Sequence, residues 1–206
     1  MVIDKQVQAR TRQEWREWLS DHHSTEDYCW LITTTNHPVS YLDFVEEALC
    51  FGWIDSTRKK LDDIQTGQRF SPRKKNSNWS ELNKERVRRL DKLGLMTEAG
   101  KKVLPDMKVE SFVIHEAILL ELRQDKELYR NFQALPELYV RIRIDNIQSV
   151  QSDAELYHKR LKKFIEHTRA NKVYGQWNDD GRLLAAAEPK LQLSTNGSGR
   201  LLSSCL

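Results

Sequence analysis

Cysteine is scarce and unpatterned. Cys29, Cys50 and Cys205 form no CxxC pair and no even framework, which argues against a disulfide scaffold or a structural zinc site. Long hydrophobic runs are missing as well. No segment approaches the ~18 to 20 apolar residues that a membrane span needs, and the opening MVIDKQVQAR has no apolar signal core. The expectation is a cytoplasmic protein with reduced thiols and no membrane insertion. Neither a GxSxG nucleophile elbow nor an HExxH ligand pair occurs. Ser71, His37 and Asp55 supply the residue types of a serine triad, but a chain this long contains such residues in any case. Cys50 lies in an apolar helical stretch with nothing beside it to depress its pKa, which reads as a core thiol. Adjacent His22 and His23 diverge on a helix, so no metal site is expected. There is no internal repeat and no long low-complexity segment.

What the sequence does have is charge, unevenly placed. The 206 residues are 39% hydrophobic and 31% charged, with a formal net charge of +3. This describes a globular chain with well-solvated helices, long enough to bury a sizeable core. From Ser56 to Lys102 there are 14 Lys and Arg against 6 Asp and Glu, a net of +8, so the remainder carries −5. Local potential, more than net charge, draws an anionic partner. That stretch is where a ligand is expected.

Thr11 and Glu14 stand at capping-box spacing before Trp15, Trp18 and Leu19, which predicts a helix over 11–22. Residues 28–35 (YCWLITTT) are aromatic and β-branched and stop at Asn36-His37-Pro38, the pattern of a strand. Ser40 caps a second predicted helix with an apolar stripe that includes Phe44, Val45 and Leu49 and stops at Gly52. Residues 57–74 alternate around DDIQTGQ and predict a β-hairpin. Ser77 and Ser80 both stand where they can cap a helix running to Leu93, before Gly94. Thr97 begins a short helix, 106–110 reads as a linker, and helical patterns follow over 111–123, 125–133, 136–148 and 153–172. Ser152 and Glu155 give the last of these a capping box.

Period 2 in the second arm of the hairpin places Arg69, Ser71 and Arg73 on one face and Phe70 with Pro72 on the other. Two guanidiniums flanking a hydroxyl make a clamp for phosphate or carboxylate; a solvated edge strand carries the same pattern. Ser77, Ser80 and Asn83 at the next helix start offer hydroxyl, amide and backbone N–H groups to an anion, or they only satisfy that start. Asp55 follows Trp53 directly before basic residues, as an ion-pair partner or turn cap, or as a general base. A lone carboxylate without a second acid or a nucleophile is an incomplete mechanism.

The segments EEALCFGWIDS, QRFSPRKKNSNWSELNKERV and GLMTEAG, in this order, resemble the YdeI/OmpD-associated family, also labelled bacteriocin-protection proteins. TRQEWREWLSDHH, YCWLITTT, LPELYVRIRIDNI and DAELYHKRLKKFIE extend the resemblance to about residues 10–175. At the C-terminal end Leu156 and Tyr157 stand where that family has threonine and arginine after the position of Glu155, while Arg160 matches a basic position. The resemblance implies a role in stress and bacteriocin protection, and it marks Trp53, Asp55, Arg69, Pro72, Arg73, Ser77, Trp79, Ser80 and Asn83 as signature positions.

Three function classes follow. The first is a non-enzymatic protective protein binding a small anionic ligand at a basic, Trp-lined pocket made by Trp53, Asp55, Arg69, Ser71, Arg73, Ser77, Trp79, Ser80 and Asn83, with no cofactor. The second is a nucleic-acid-binding module in which Arg58, Lys59, Lys60, Lys74, Lys75, Arg86, Arg88 and Arg89 contact phosphates while Trp79 or Phe70 stacks a base. The third is an enzyme of unknown reaction. The fold class expected is α+β, predominantly helical, with a small antiparallel sheet in the N-terminal half. The expected organisation is a signature domain over 1–106, a helical module over 107–175 and a flexible tail over 176–206.

Overall fold

Side-chain oxygens start the helices of the N-terminal half where the sequence marks them. In a computed structural model, which describes residues 3–184, Thr11 accepts the Glu14 amide and starts α1 (Arg12–His22). Ser40 does the same from Asp43 for α2 (Tyr41–Cys50), and Ser80 from Asn83 for α3 (Glu81–Lys92). Each satisfies one of the amides that a helix start leaves without a partner. Ser77 is not a cap. At the later helix Asp153, rather than Ser152, accepts the Leu156 amide.

The sheet has four strands: β1 (Gln6–Val7), β2 (Cys29–Thr34), β3 (Trp53–Lys60) and β4 (Gln65–Pro72), in the order β1-β2-β4-β3. The β3–β4 hairpin and the β2–β4 pair are antiparallel as expected, and β1 adds a parallel edge. β3 begins at Trp53, four residues before the expected hairpin start. Its register slips between Asp55 and Arg58, so Ser56 and Thr57 oppose a single residue in a bulge.

Trp15, Leu19, Phe44, Leu49, Trp53 and Phe70 fill the core between the sheet and α1–α2. Trp15 Nε1–H donates to the Phe44 carbonyl at 3.0 Å, so the buried indole keeps a partner. The GLMTEAG stretch closes this layer. Thr97 donates to the Cys50 carbonyl from its hydroxyl at 2.6 Å and from its backbone N–H at 3.1 Å. α4 (Glu98–Lys101) then presses so close that a Cβ on Gly100 would collide with that same carbonyl. Gly52, at φ +75°, ends α2 in the left-handed conformation that glycine accepts most readily.

The second half is helical: a 3₁₀ turn at Val109–Ser111, then α5 (Glu116–Arg123), α6 (Lys126–Ala134), α7 (Glu137–Gln148) and α8 (Ala154–Arg169). It has its own core of Ile118, Leu122, Tyr139, Ile144 and Phe164. Helix α5 begins five residues later than the pattern predicts, because 112–115 belong to no helix and Phe112 and His115 are extended. The joint with the first half is polar. Arg141 of α7 pairs with Glu85 of α3 at 2.8 Å, and Asp145 accepts the Glu81 amide at the start of α3 at 3.0 Å.

Residues 176–184, expected as the beginning of a tail, form turns held by long-range contacts. Asp179 receives Arg86 at 2.7 and 2.8 Å, and Arg182 reaches Asp43 at 2.7 Å. The remainder of the expected tail, 185–206, lies outside the described residues. Among the described residues no helix is long and apolar enough to cross a membrane.

Candidate anion-binding site

After Pro72 the chain leaves β4. The Arg73 backbone N–H donates to the Gly52 carbonyl at 2.9 Å, and this turns the side chain toward the 74–79 loop. The guanidinium carbon lies 3.6 Å from the centre of the Trp79 ring. Nη1 donates to the Asn78 carbonyl at 3.2 Å, while Nε is buried with no hydrogen-bond partner. Nearby in sequence, the Ser77 hydroxyl is also buried and unpartnered.

The contrast with Arg141 shows why this matters. Both arginines are 8% exposed. Arg141 faces Glu85 at 2.8 Å and Glu81 at 3.9 Å, as burial of a charge normally demands. Arg73 has no carboxylate within ion-pair distance among the described residues. Burial pushes its pKa down to about 10, opposed only by the field of Asp55. It stays charged at neutral pH without a local counter-charge.

Arg73 forms part of the wall of an open groove of about 490 Å³. Phe51, Trp53, Pro72, Ala99 and Val103 supply its apolar surface, and His23, Ser24 and Lys102 its remaining polar groups. Trp53 is fixed by its indole N–H, which donates to the His23 carbonyl at 3.1 Å. The His23 ring rests on Phe51 with centroids 5.4 Å apart and has Nδ1 2.9 Å from the Leu19 carbonyl. Lys102 makes no ion pair among the described residues. The groove therefore offers two cations, an imidazole and an aromatic wall to a small anion.

The expected residues divide into three groups. Trp53 and Arg73 line the groove, Trp79 stacks on Arg73 without lining it, and Ser77 does not line it. Arg69 and Ser71 do not join them. Arg69 stacks on Tyr28 at 4.5 Å, so different rings hold the two guanidiniums and the strand clamp is not built. The period-2 rule fails at Arg73 because that residue lies beyond the end of β4. Ser80, Asn83 and Asp55 are committed elsewhere. Ser80 caps α3, Asn83 accepts Arg86 at 2.9 Å, and Asp55 accepts the Tyr41 hydroxyl. The anion expected at the α3 N-terminus is already there, as the protein's own Asp145. Burial holds the Asp145 pKa above the usual carboxylate range. Sequence reasoning missed His23, Ser24 and Lys102. Lys102 ends the basic stretch, and charge alone could have marked it.

Part of that basic stretch is neutralised by the protein's own carboxylates. Arg86 meets Asp179, Arg88 meets Glu85, and Lys84 meets Glu81. Glu46, 0% exposed, receives Arg89 at 2.9 Å, Arg12 at 3.0 Å and Arg182 at 3.3 Å. Phe70 is fully buried and cannot stack a base. Cys29 and Cys50 are core thiols whose pKa values burial pushes up to about 12, far from a nucleophile's.

No curated protein and no solved structure matches this chain. The family model of a domain of unknown function (DUF8412) matches residues 7–103, the stretch that runs from α1 through α4 and carries the whole groove.

Proposed function

We propose that the protein is a non-enzymatic binding protein that takes a small anionic ligand, a phosphate or carboxylate, in the groove walled by Arg73, Lys102 and His23. We further propose that it does so in the cytoplasm, as part of the stress and bacteriocin protection that the sequence resemblance implies. The observation that carries the binding proposal is Arg73 itself, a buried guanidinium with no carboxylate within ion-pair distance among the described residues. An arginine left in that state costs several kcal/mol that a bound anion would offset. Trp79 supports the reading by orienting the guanidinium plane. The nucleic-acid reading loses support, because Arg86, Arg88 and Arg89 are spent on carboxylates and Phe70 is inaccessible.

The test is a thermal-shift titration with inorganic phosphate, acetate, citrate and a short single-stranded oligonucleotide. A small anion at a hundred times its dissociation constant adds about 2.7 kcal/mol. That gain is expected to survive Arg69→Ala and to vanish in Arg73→Met. Loss in Arg69→Ala with retention in Arg73→Met would sink the proposal. Stabilisation by the oligonucleotide alone, falling steeply with salt, would replace it with the nucleic-acid reading.

A further inference from the structure

A glutamine occupies the core-facing side of β4, one pleat from fully buried Phe70 and opposite Leu31 of β2. Gln68 is 6% exposed. Its Nε2 donates to the Ser56 and Thr57 carbonyls at 3.4 Å each, the two residues of the β3 bulge. Two acceptors on one side fix which end of the amide is nitrogen, so Oε1 is the opposite end. Oε1 accepts no hydrogen bond among the described residues and is not sealed from solvent, which leaves it open to an added donor.

Gln68 lines a cavity of about 250 Å³ between the sheet and the start of α2, separate from the Arg73 groove. Leu31, Phe44 and Phe70 give it an apolar floor. At the polar side stand His37 and Arg58. His37 Nδ1 is taken up by Val39, 3.2 Å from its backbone nitrogen and 3.3 Å from its carbonyl oxygen, leaving Nε2 as the available nitrogen of that ring. Arg58 is exposed and makes no ion pair among the described residues. The nearby Asp55 carboxylate accepts the Tyr41 hydroxyl and does not line the cavity.

We propose that this cavity is a second binding site, for a small carboxylate that carries an O–H or N–H donor beside its carboxyl group and a short apolar side chain. Arg58 and the His37 Nε2–H hold the carboxylate. The donor goes to Gln68 Oε1, and the side chain covers the floor. At roughly 30 Å³ per water the cavity has the volume of about eight waters, which limits the ligand to on the order of ten non-hydrogen atoms. A 2-hydroxy acid and an α-amino acid share this chemistry. The site does not depend on the groove reading.

The experiment is an NMR titration of the ¹⁵N-labelled full chain with 2-hydroxyisovalerate, valine and isovalerate, the last having the same shape without the donor. At least one of the first two is expected to move the Gln68 side-chain amide and the backbone amides of Thr33, Thr34 and Thr35. Isovalerate is expected to bind at least tenfold more weakly. Gln68→Leu is expected to abolish that discrimination, and Arg58→Ala to weaken every probe that binds. Whichever donor-bearing probe binds identifies the donor. Equal binding of isovalerate, discrimination that survives Gln68→Leu, no movement with any probe, or shifts centred on Arg73 and Trp79 would each overturn the proposal. Should Gln68→Leu not fold, an unchanged affinity in Arg58→Ala is decisive against it.

Discussion

Arg73 sets function against stability at a single side chain. Its guanidinium is buried on Trp79 without an acid, so a methionine of similar length keeps the stacking area and removes the charge. Arg73→Met is expected to leave the melting temperature unchanged or raise it, while anion-induced stabilisation disappears. A purely structural arginine would behave in the opposite way, losing ~1 to 3 kcal/mol on truncation; calorimetry with and without phosphate separates the two. Trp53 and Arg73 were marked in the sequence because both lie in one motif of mixed chemistry, and both line the groove. The separation of Arg73 from Arg69 was not marked there. Strand alternation holds only while the chain remains in the sheet, and the turn that follows Pro72 depends on a hydrogen bond to Gly52, twenty-one residues earlier.

At the scale of elements, the joints between helices carry the predictions. Gly100 allows α4 to approach the C-terminus of α2. Gly100→Ala is therefore expected to destabilise the chain by about 1 to 3 kcal/mol through overpacking, seen as a lower urea midpoint with unchanged slope. At the α3–α7 joint, burial raises the Asp145 pKa in the folded state. A raised pKa means that the folded protein holds this proton more tightly than the unfolded chain. The associated stability is fully present below the ordinary aspartate value and is lost as pH rises through the folded-state value. Asp145→Asn keeps an acceptor for the Glu81 amide and removes the charge. It is expected to be equal to or more stable than the parent at pH 7, with a flatter stability profile above pH 4 in denaturant titrations. The helix starts at Thr11, Ser40 and Ser80 were readable because a cap acts within three residues. Asp145 reaches the α3 start from 64 residues away, and two-residue β1 is too short to show a period. No local pattern records either.

Over the whole molecule, two apolar cores are joined by charge. Glu46 gathers Arg12, Arg89 and Arg182, drawing together three distant parts of the chain. Glu46→Gln removes the shared acid while Arg12 keeps Asp43 and Glu47 and Arg182 keeps Asp43, and it is expected to cost ~1 to 3 kcal/mol. The loss would appear in chemical denaturation, and added salt would not restore it, since buried pairs are poorly screened. The same internal pairing takes up Lys84, Arg86, Arg88 and Arg89 of the basic stretch over 56–102. Arg86 and Arg89 find their partners far away in sequence, at Asp179 and Glu46, which a local count of charge does not record.

The three guanidiniums around Glu46 also impose an order of assembly during synthesis. At about 5 to 20 residues per second, Arg12 and Arg89 are available seconds before Arg182 is made. A nascent chain that ends between them carries Glu46 with two of its three cations and without the third. Ribosome-bound intermediates of that length should expose the α2–α3 face to proteases or holdase chaperones, and synthesis through Arg182 should close it.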